Sequence, residues 1–329
     1  MTVIEQLPLT ATVTYSPAFT LVPTYECFNR CAYCNFRTDP GKSPWLSLQE
    51  AKTQLSALQS SDICEILVLS GEVHPQSARR GEWFERIYGI CELALSMGFL
   101  PHTNAGPLLY EEMVQLKQVN VSLGLMLEQL TPRLRSTVHR YAPSKEPTLR
   151  LEQLDWAGQL HIPFTTGLLL GLGETASERE ETLMAIASSH QRWGHIQEVI
   201  LQPYRPGEQE DWQGAGFAAQ ELVALVAIAR QILPPDITIQ IPPNLVSEPQ
   251  TLLACLEAGA RDLGGLVPHD HVNPTYRHLA LGQIQQQLAA QGWHLQPRLP
   301  IYPQYDGGLP SALREQVKRW RGRLAESRL

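Results

Sequence analysis

The sequence has 329 residues, 43% hydrophobic and 18% charged, enough apolar material for one large α/β barrel or two small domains. A formal net charge of −7 and a pI near 5.8 argue against a nucleic-acid partner. Six cysteines, three of them in one short loop, argue for a reducing, cytoplasmic setting; no basic leader precedes Arg30 and no apolar run nears the roughly 18 residues of a membrane span.

In chain order, eight short apolar runs read as strands: Phe19–Pro23, Ile66–Ser70, Phe99–Thr103, Val121–Leu127, Phe164–Leu170, Val199–Pro203, Ile237–Ile241 and Asp262–Val267. Most are separated by stretches with apolar residues at three- and four-residue spacing, such as Leu48–Gln59, Trp83–Met97 and Leu149–Leu160. Gly98, Gly158 and Gly194 fall near the ends of such stretches, where a left-handed cap favours glycine. This alternation predicts an α/β fold, a closed parallel (β/α)8 TIM-type barrel, with reactive groups at the C-terminal ends of the strands. A single domain over 1–329 is expected, its core at about 17–292, with extensions before and after. The late basic run Arg314, Lys318, Arg319, Arg321 and Arg323 reads as a solvated helix face.

The polar clusters follow the strands. After the first comes Cys27-x3-Cys31-x2-Cys34, with Tyr33 just before the last cysteine. Three thiolates on one loop can hold three corners of a 4Fe–4S cluster and leave the fourth iron open; a zinc site short of one ligand and three unconnected buried cysteines are the alternatives. Ser70-Gly71-Glu72 follows the second strand. His102 and Asn104 alternate with Thr103 on the third, so they share a face. Glu128 ends the fourth strand, where its carboxylate can accept from two hydroxyls or favour the next helix dipole. Arg150 begins the helix before the fifth strand. Gly167-Leu-Leu-Leu-Gly171-Leu-Gly-Glu174 closes the fifth, its missing side chains leaving room for a flat ring against the backbone. Cys64, Cys91 and Cys255 lie away from strand C-terminal ends and read as small buried hydrophobes.

The cysteine loop together with the Gly167–Glu174 string resembles the radical S-adenosylmethionine (radical SAM) superfamily. The resemblance implies one 4Fe–4S cluster per chain on Cys27, Cys31 and Cys34. It also implies S-adenosylmethionine held by Tyr33, the Ser70-Gly71-Glu72 turn, Glu128, Arg150, Gly171 and Glu174. Ser70 stands where the superfamily turn has glycine.

From about Tyr15 to Pro274 the chain resembles one family more closely, the CofG subunits of deazaflavin synthase. The matching stretches are Pro101–Gly106, Gly124–Glu128, Ile162–Thr175, Gly194–Ile200, Ile241–Leu245 and Asp270–Pro274. Arg140-Tyr141 after His139 departs from the Tyr-Gly expected there. The resemblance implies a radical cyclisation with loss of ammonia. The substrate is an adduct of a 4-hydroxybenzyl group and a ribityl-aminouracil, supplied by a CofH-type companion, and a low-potential donor supplies the electron. Within it, His102, Asn104, Asp270 and His271 are the candidate catalytic residues, with Gln202 and Asn244 as substrate contacts. The competing readings are the adduct-forming CofH-type enzyme, a menaquinone-pathway relative, and a non-catalytic cluster or zinc carrier.

Overall fold

The computed structural model describes residues 11–208, 211–212, 214–246, 248–267, 270–272 and 280–326. The strands are β1 (Ala11–Leu21), β2 (Glu65–Leu69), β3 (Leu100–Asn104), β4 (Ser122–Gly124), β5 (Phe164–Leu170), β6 (Ile196–Pro203), β7 (Thr238–Gln240), β8 (Asp262–Leu266) and β9 (Trp293–Pro297). The helices are α1 (Leu48–Ser56), α2 (Arg80–Ser96), α3 (Tyr110–Leu116), α4 (Pro147–Gln159), α5 (Ala176–Trp193), α6 (Ala219–Ile232), α7 (Pro249–Ala258), α8 (Leu281–Ala289) and α9 (Ser311–Glu326). β1 to β8 pair in sequence order, all parallel, and β1 pairs with both β8 and β2, closing an eight-stranded barrel with a helix after each strand. The expected barrel is therefore present. The Asn273-Pro274 end of the last matching stretch lies outside the described residues.

Some boundaries differ from expectation for a clear physical reason. β1 begins at Ala11, so residues 11–16 are barrel wall and not an extension. Its inward positions Thr14 and Ser16 are polar, which hides the strand from an apolar-run reading. β4 stops at Gly124; Leu125 to Glu128 leave the regular ladder while still donating to β5, through Leu125 N–H to Thr165 O (3.0 Å) and Glu128 N–H to Gly167 O (3.1 Å). Gly98 and Gly194 do carry positive φ, 95° and 66°, but Gly158 lies inside α4. A Cβ there would stand 2.4 Å from the Trp193 side chain, so its role is close approach of α4 to α5.

The tail after Gly292 also belongs to the barrel. β9 pairs with Ala11–Tyr15 of β1, and Arg298 N–H then donates to Tyr15 O (2.7 Å) as the chain turns beneath the strands. Leu299, Ile301, Leu313, Val317 and Trp320 form a second core with Cys64, Leu100 and Val121, the approach to β2, β3 and β4. Arg298 reaches inside this floor. Its Nε and Nη2 donate to the two Asp262 oxygens (2.6 and 2.7 Å), and Nη2 also to Glu198 Oε1 (2.7 Å), while Tyr302 O–H donates to Glu198 (3.2 Å). The tail thus seals the N-terminal end of the barrel and leaves the opposite end for chemistry. Cys64, Cys91 and Cys255 are buried among apolar neighbours, as expected. Among the described residues no helix is long and apolar enough to cross a membrane.

Candidate active site

At the C-terminal end of the barrel, the loop after β1 carries the three cysteines. It is pinned by backbone hydrogen bonds from several directions: Cys27 N–H to Thr38 O (3.0 Å), Phe28 N–H to Glu72 O (3.0 Å), Arg30 N–H to Tyr141 O (2.7 Å) and Ala32 N–H to Val138 O (2.9 Å). Ala32 O in turn accepts from Asp211 and Trp212 (2.9 and 2.8 Å), so the segment after β6 also clasps the loop. Gly71 lies against it: an added Cβ would be 2.2 Å from Glu26 O. Ser70 Oγ donates to Gly71 O (2.9 Å) and accepts from Trp83 Nε1 (3.1 Å), so its hydroxyl is engaged in the turn.

Beside the cysteines four charged side chains meet. Arg150 is buried; its Nε donates to Ser144 O (2.9 Å), its Nη1 to Met126 O, and its guanidinium lies 3.7 Å from Glu72 and 3.9 Å from Glu128. Lys145 donates to Glu128, and Asn29 Nδ2 to Glu72 (2.9 Å). Burial alone would raise the Glu128 carboxyl, but Lys145 and Arg150 outweigh it and hold the group below its ordinary value. Glu128 also has φ 66°, a conformation costly for a residue with a Cβ and typical of functional sites. Tyr33 O–H meets His139 Nε2 at 3.1 Å, and burial drives that imidazole down to about 4, so it is neutral near pH 7. Glu174 turns back onto its own loop, accepting from the N–H groups of Gly171 and Leu172 (both 2.8 Å). Gly171 itself has φ 92°.

The donor set for a metal group is three half-buried thiols. Burial, with Glu72 adding for the first, pushes Cys27 up to about 11 and Cys31 up to about 12, values at which a thiol stays protonated unless a metal displaces the proton. Among the described residues no three His, Cys, Asp or Glu side chains converge as a single-ion shell. A soft, three-sulfur set on a braced loop fits an iron–sulfur cluster.

A cavity of about 720 Å³ opens in the lumen, lined by Thr20, Leu67, Leu69, Gln240, Asn244, Asp270 and His271 among others. Asn244 Nδ2 donates to Asp270 Oδ2 (3.0 Å), Val272 N–H to Asp270 Oδ1 (2.8 Å), and Tyr25 O–H lies 2.9 Å from His271 Nδ1. The structure therefore brings Asn244, Asp270 and His271 together, and ties them to the cysteine loop through Tyr25. Asn104 and His102 sit level with Leu69 and Leu67, and Gln202 level with Leu169 across the β5–β6 pair. These three do not join the Asp270 group.

A family model described as the Radical SAM superfamily matches residues 21–186. The 7,8-didemethyl-8-hydroxy-5-deazariboflavin synthase of Trichormus variabilis is 62% identical over 95% of this chain and 92% of its own length; that of Gloeobacter violaceus is 58% identical over 96% and 98%. The chain belongs to the 7,8-didemethyl-8-hydroxy-5-deazariboflavin synthase family of radical SAM enzymes. The barrel is similar to the [FeFe]-hydrogenase maturase HydG of Carboxydothermus hydrogenoformans (TM-score 0.74, 18% identity, 96% of this chain and 78% of that one). It is also similar to methylornithine synthase PylB (TM-score 0.67, 14% identity, 90% and 86%). At these identities the two structures speak for the fold alone.

In this deazariboflavin synthase family member, His102 is tied to the barrel floor. Its Nδ1 meets Ser122 Oγ at 2.6 Å, and that hydroxyl donates to Pro300 O (2.6 Å), so Nδ1 carries the proton. Burial, helped by the Arg298 charge, drives the ring down to about 4 from an ordinary 6.5. Between those values the unfolded chain takes up a proton that the folded chain refuses, so stability falls as the pH drops through that window. Relative to His102→Gln, the wild type should lose about 2 kcal/mol between pH 7.5 and 5. Urea unfolding at both pH values checks this; equal losses in the two proteins would refute it.

Lys145, Tyr25, Asn29 and the Arg298 floor escaped the sequence reading. Lys145 sits in a Pro-Ser-Lys turn with no strand to mark it, and Arg298 lies beyond the last expected strand.

Proposed function

We propose that this enzyme closes the deazaflavin ring system, forming 7,8-didemethyl-8-hydroxy-5-deazariboflavin from the hydroxybenzyl–ribitylaminouracil adduct with loss of ammonia. The identity of about 62% to synthases of that name, over nearly the whole chain, carries the reading. Cys27, Cys31 and Cys34 would hold the cluster, and Glu128, Glu72 and Arg150, with Tyr33, Gly71 and Gly171 nearby, the cosubstrate. A 4Fe–4S cluster and S-adenosylmethionine, bound by those residues, would supply one-electron radical chemistry for hydrogen-atom abstraction from the substrate. The protein's share is to bind, orient and keep water from the lumen. Asn244 and Val272 N–H fix Asp270 as an acceptor, and the Tyr25–His271 pair can pass a proton between phenol oxygen and Nδ1, the kind of group that departing ammonia needs. His102, Asn104 and Gln202 would serve the same lumen from the other wall. A CofH-type companion would supply the adduct and a low-potential carrier the electron, in the cytoplasm.

The test is anaerobic turnover of the purified adduct, followed by deazaflavin fluorescence. Asp270→Asn should slow ring formation by about 10²-fold or more while 5′-deoxyadenosine is still released. Conversion of free tyrosine and the aminouracil, with no deazaflavin from the adduct, would instead establish the companion's activity. A wild-type rate in Asp270→Asn would remove Asp270 from the mechanism.

A further inference from the structure

The outer face of the cysteine loop carries a patch that the active site does not use. Residues 138–141 run antiparallel to residues 30–32, held by Arg30 N–H to Tyr141 O (2.7 Å) and Ala32 N–H to Val138 O (2.9 Å). This pairing makes the Arg30 and Tyr141 side chains neighbours, one position before Cys31. Arg30 has 62% of its side chain exposed, and Tyr141, at 61%, is the most exposed large hydrophobic among the described residues. Tyr141 belongs to the Arg140-Tyr141 pair that departs from the Tyr-Gly expected after His139.

Cations surround this ring. The exposed Arg140 guanidinium lies 5.3 Å from its centre and, among the described residues, has no carboxylate partner. Arg30 shares Asp39 with Arg37, and the exposed Lys42 follows on the same turn, its N–H donating to Asp39 O (3.1 Å). Four cations, Arg30, Arg37, Lys42 and Arg140, thus stand against the one carboxylate of Asp39, on a chain whose net charge is −7. The opposite flank differs: Asp211 N–H donates to Ala32 O, which sets the exposed Asp211 and Glu208 on that side. A basic side and an acidic side orient a partner. None of the four cations, nor Tyr141, lines the lumen cavity, so the patch lies off the substrate's path.

Resting on the reading that Cys27, Cys31 and Cys34 hold a cluster reduced from outside, we infer that the Arg30–Arg140–Tyr141 patch is the docking surface for an acidic one-electron carrier protein. The carrier's carboxylates meet the arginines and Lys42, and Tyr141 lies at the centre of the contact, where aromatic and arginine side chains carry most binding energy. Opposite charge also speeds the encounter. A carrier seated there is separated from the thiols by the loop alone. One electron passes, the carrier is oxidised by one and the cluster reduced by one, and no bond or proton changes place.

The probe is a plant-type [2Fe–2S] ferredoxin, a strongly acidic carrier. Its oxidised form is titrated calorimetrically into the anaerobically reconstituted holoenzyme at low and at high salt, and cluster reduction is followed by stopped flow with reduced ferredoxin and with dithionite. Arg30→Glu combined with Arg140→Glu should weaken binding about 10- to 100-fold at low salt and by less at high salt. Reduction by ferredoxin should slow, while dithionite still reduces the cluster at the wild-type rate. Tyr141→Ala should weaken binding by about 5- to 10-fold at both salt levels, since its contact is apolar. Lys318→Glu combined with Arg319→Glu makes the same change in net charge on α9, at the far end of the barrel, and should leave the affinity within about two-fold. Equal losses in the two charge-reversed pairs would reduce the effect to net charge and overturn the patch. Wild-type affinity in the Arg30 and Arg140 pair, no binding of ferredoxin at all, or binding of the CofH-type companion at these residues instead would also overturn it. The proposed reaction is judged separately: dithionite-reduced wild type that forms no deazaflavin from the adduct would overturn that reading, whatever the ferredoxin result.

Discussion

Cys27→Ala, Cys31→Ala and Cys34→Ala, reconstituted without oxygen, should each lose the S-adenosylmethionine-sensitive EPR signal of the reduced cluster and form no deazaflavin above background. Wild-type protein should carry about four iron per chain. The three sulfurs stand on a loop whose backbone is fixed by Thr38, Glu72, Tyr141 and Val138, so no neighbouring residue can shift in to replace a missing ligand without breaking those bonds. Cys64→Ala, Cys91→Ala and Cys255→Ala supply the contrast. All three side chains are buried, and their removal should cost of order 1 kcal/mol as small cavities while iron content stays normal. A full-strength, substrate-sensitive cluster in any one of the loop variants would break the ligand assignment.

Arg298→Met should be the most damaging single change for stability, at about 3–5 kcal/mol. Asp262 is fully buried and loses both of its guanidinium bonds, and Glu198 loses one. Arg298 is what holds the Asp262 carboxyl below its ordinary value against the cost of burial, whereas burial and the Asp262 charge push Glu198 well above. The damage comes from stranding a buried charge, so it should not add. Asp262→Asn combined with Arg298→Met should unfold at a higher urea concentration than Arg298→Met alone. A double variant no more stable than the single one would show that packing of the arginine stem, not its charge, matters here.

The barrel was legible because β5, buried on both faces, reads as one apolar run, and because the helices between strands repeat at helical spacing. The three cysteines were legible because their whole pattern lies within eight residues. What could not be read was anything set by closure. Thr14, Glu65, Glu198 and Asp262 are isolated polar residues along the sequence, and only the barrel turns them into a single layer around Arg298. The same holds for Asn244 and Asp270, which become partners because β7 and β8 are neighbours. Arg150 was visible as a cation near the right place, but its use by Ser144 O and Met126 O depends on how the chain curls after β4.

The pairing of β1 with β9 bears on the order in which the molecule is assembled. During synthesis Ala11–Tyr15 of β1 leave the ribosome well before their partners Trp293–Pro297 of β9, so the lower half of the first strand stays uncovered until then. Until then Asp262 and Glu198 have no guanidinium, and the apolar ends of β2, β3 and β4 have no α9 helix above them. A nascent chain halted short of residue 293 would hold a barrel whose first strand keeps an uncovered lower edge, with bare acids at its base, a species prone to aggregate and a natural client for chaperones. Slow, late-completing folding is the expected kinetic signature, because the contacts that cover the base of the barrel join Ala11–Tyr15 to Trp293–Pro297, far apart along the chain.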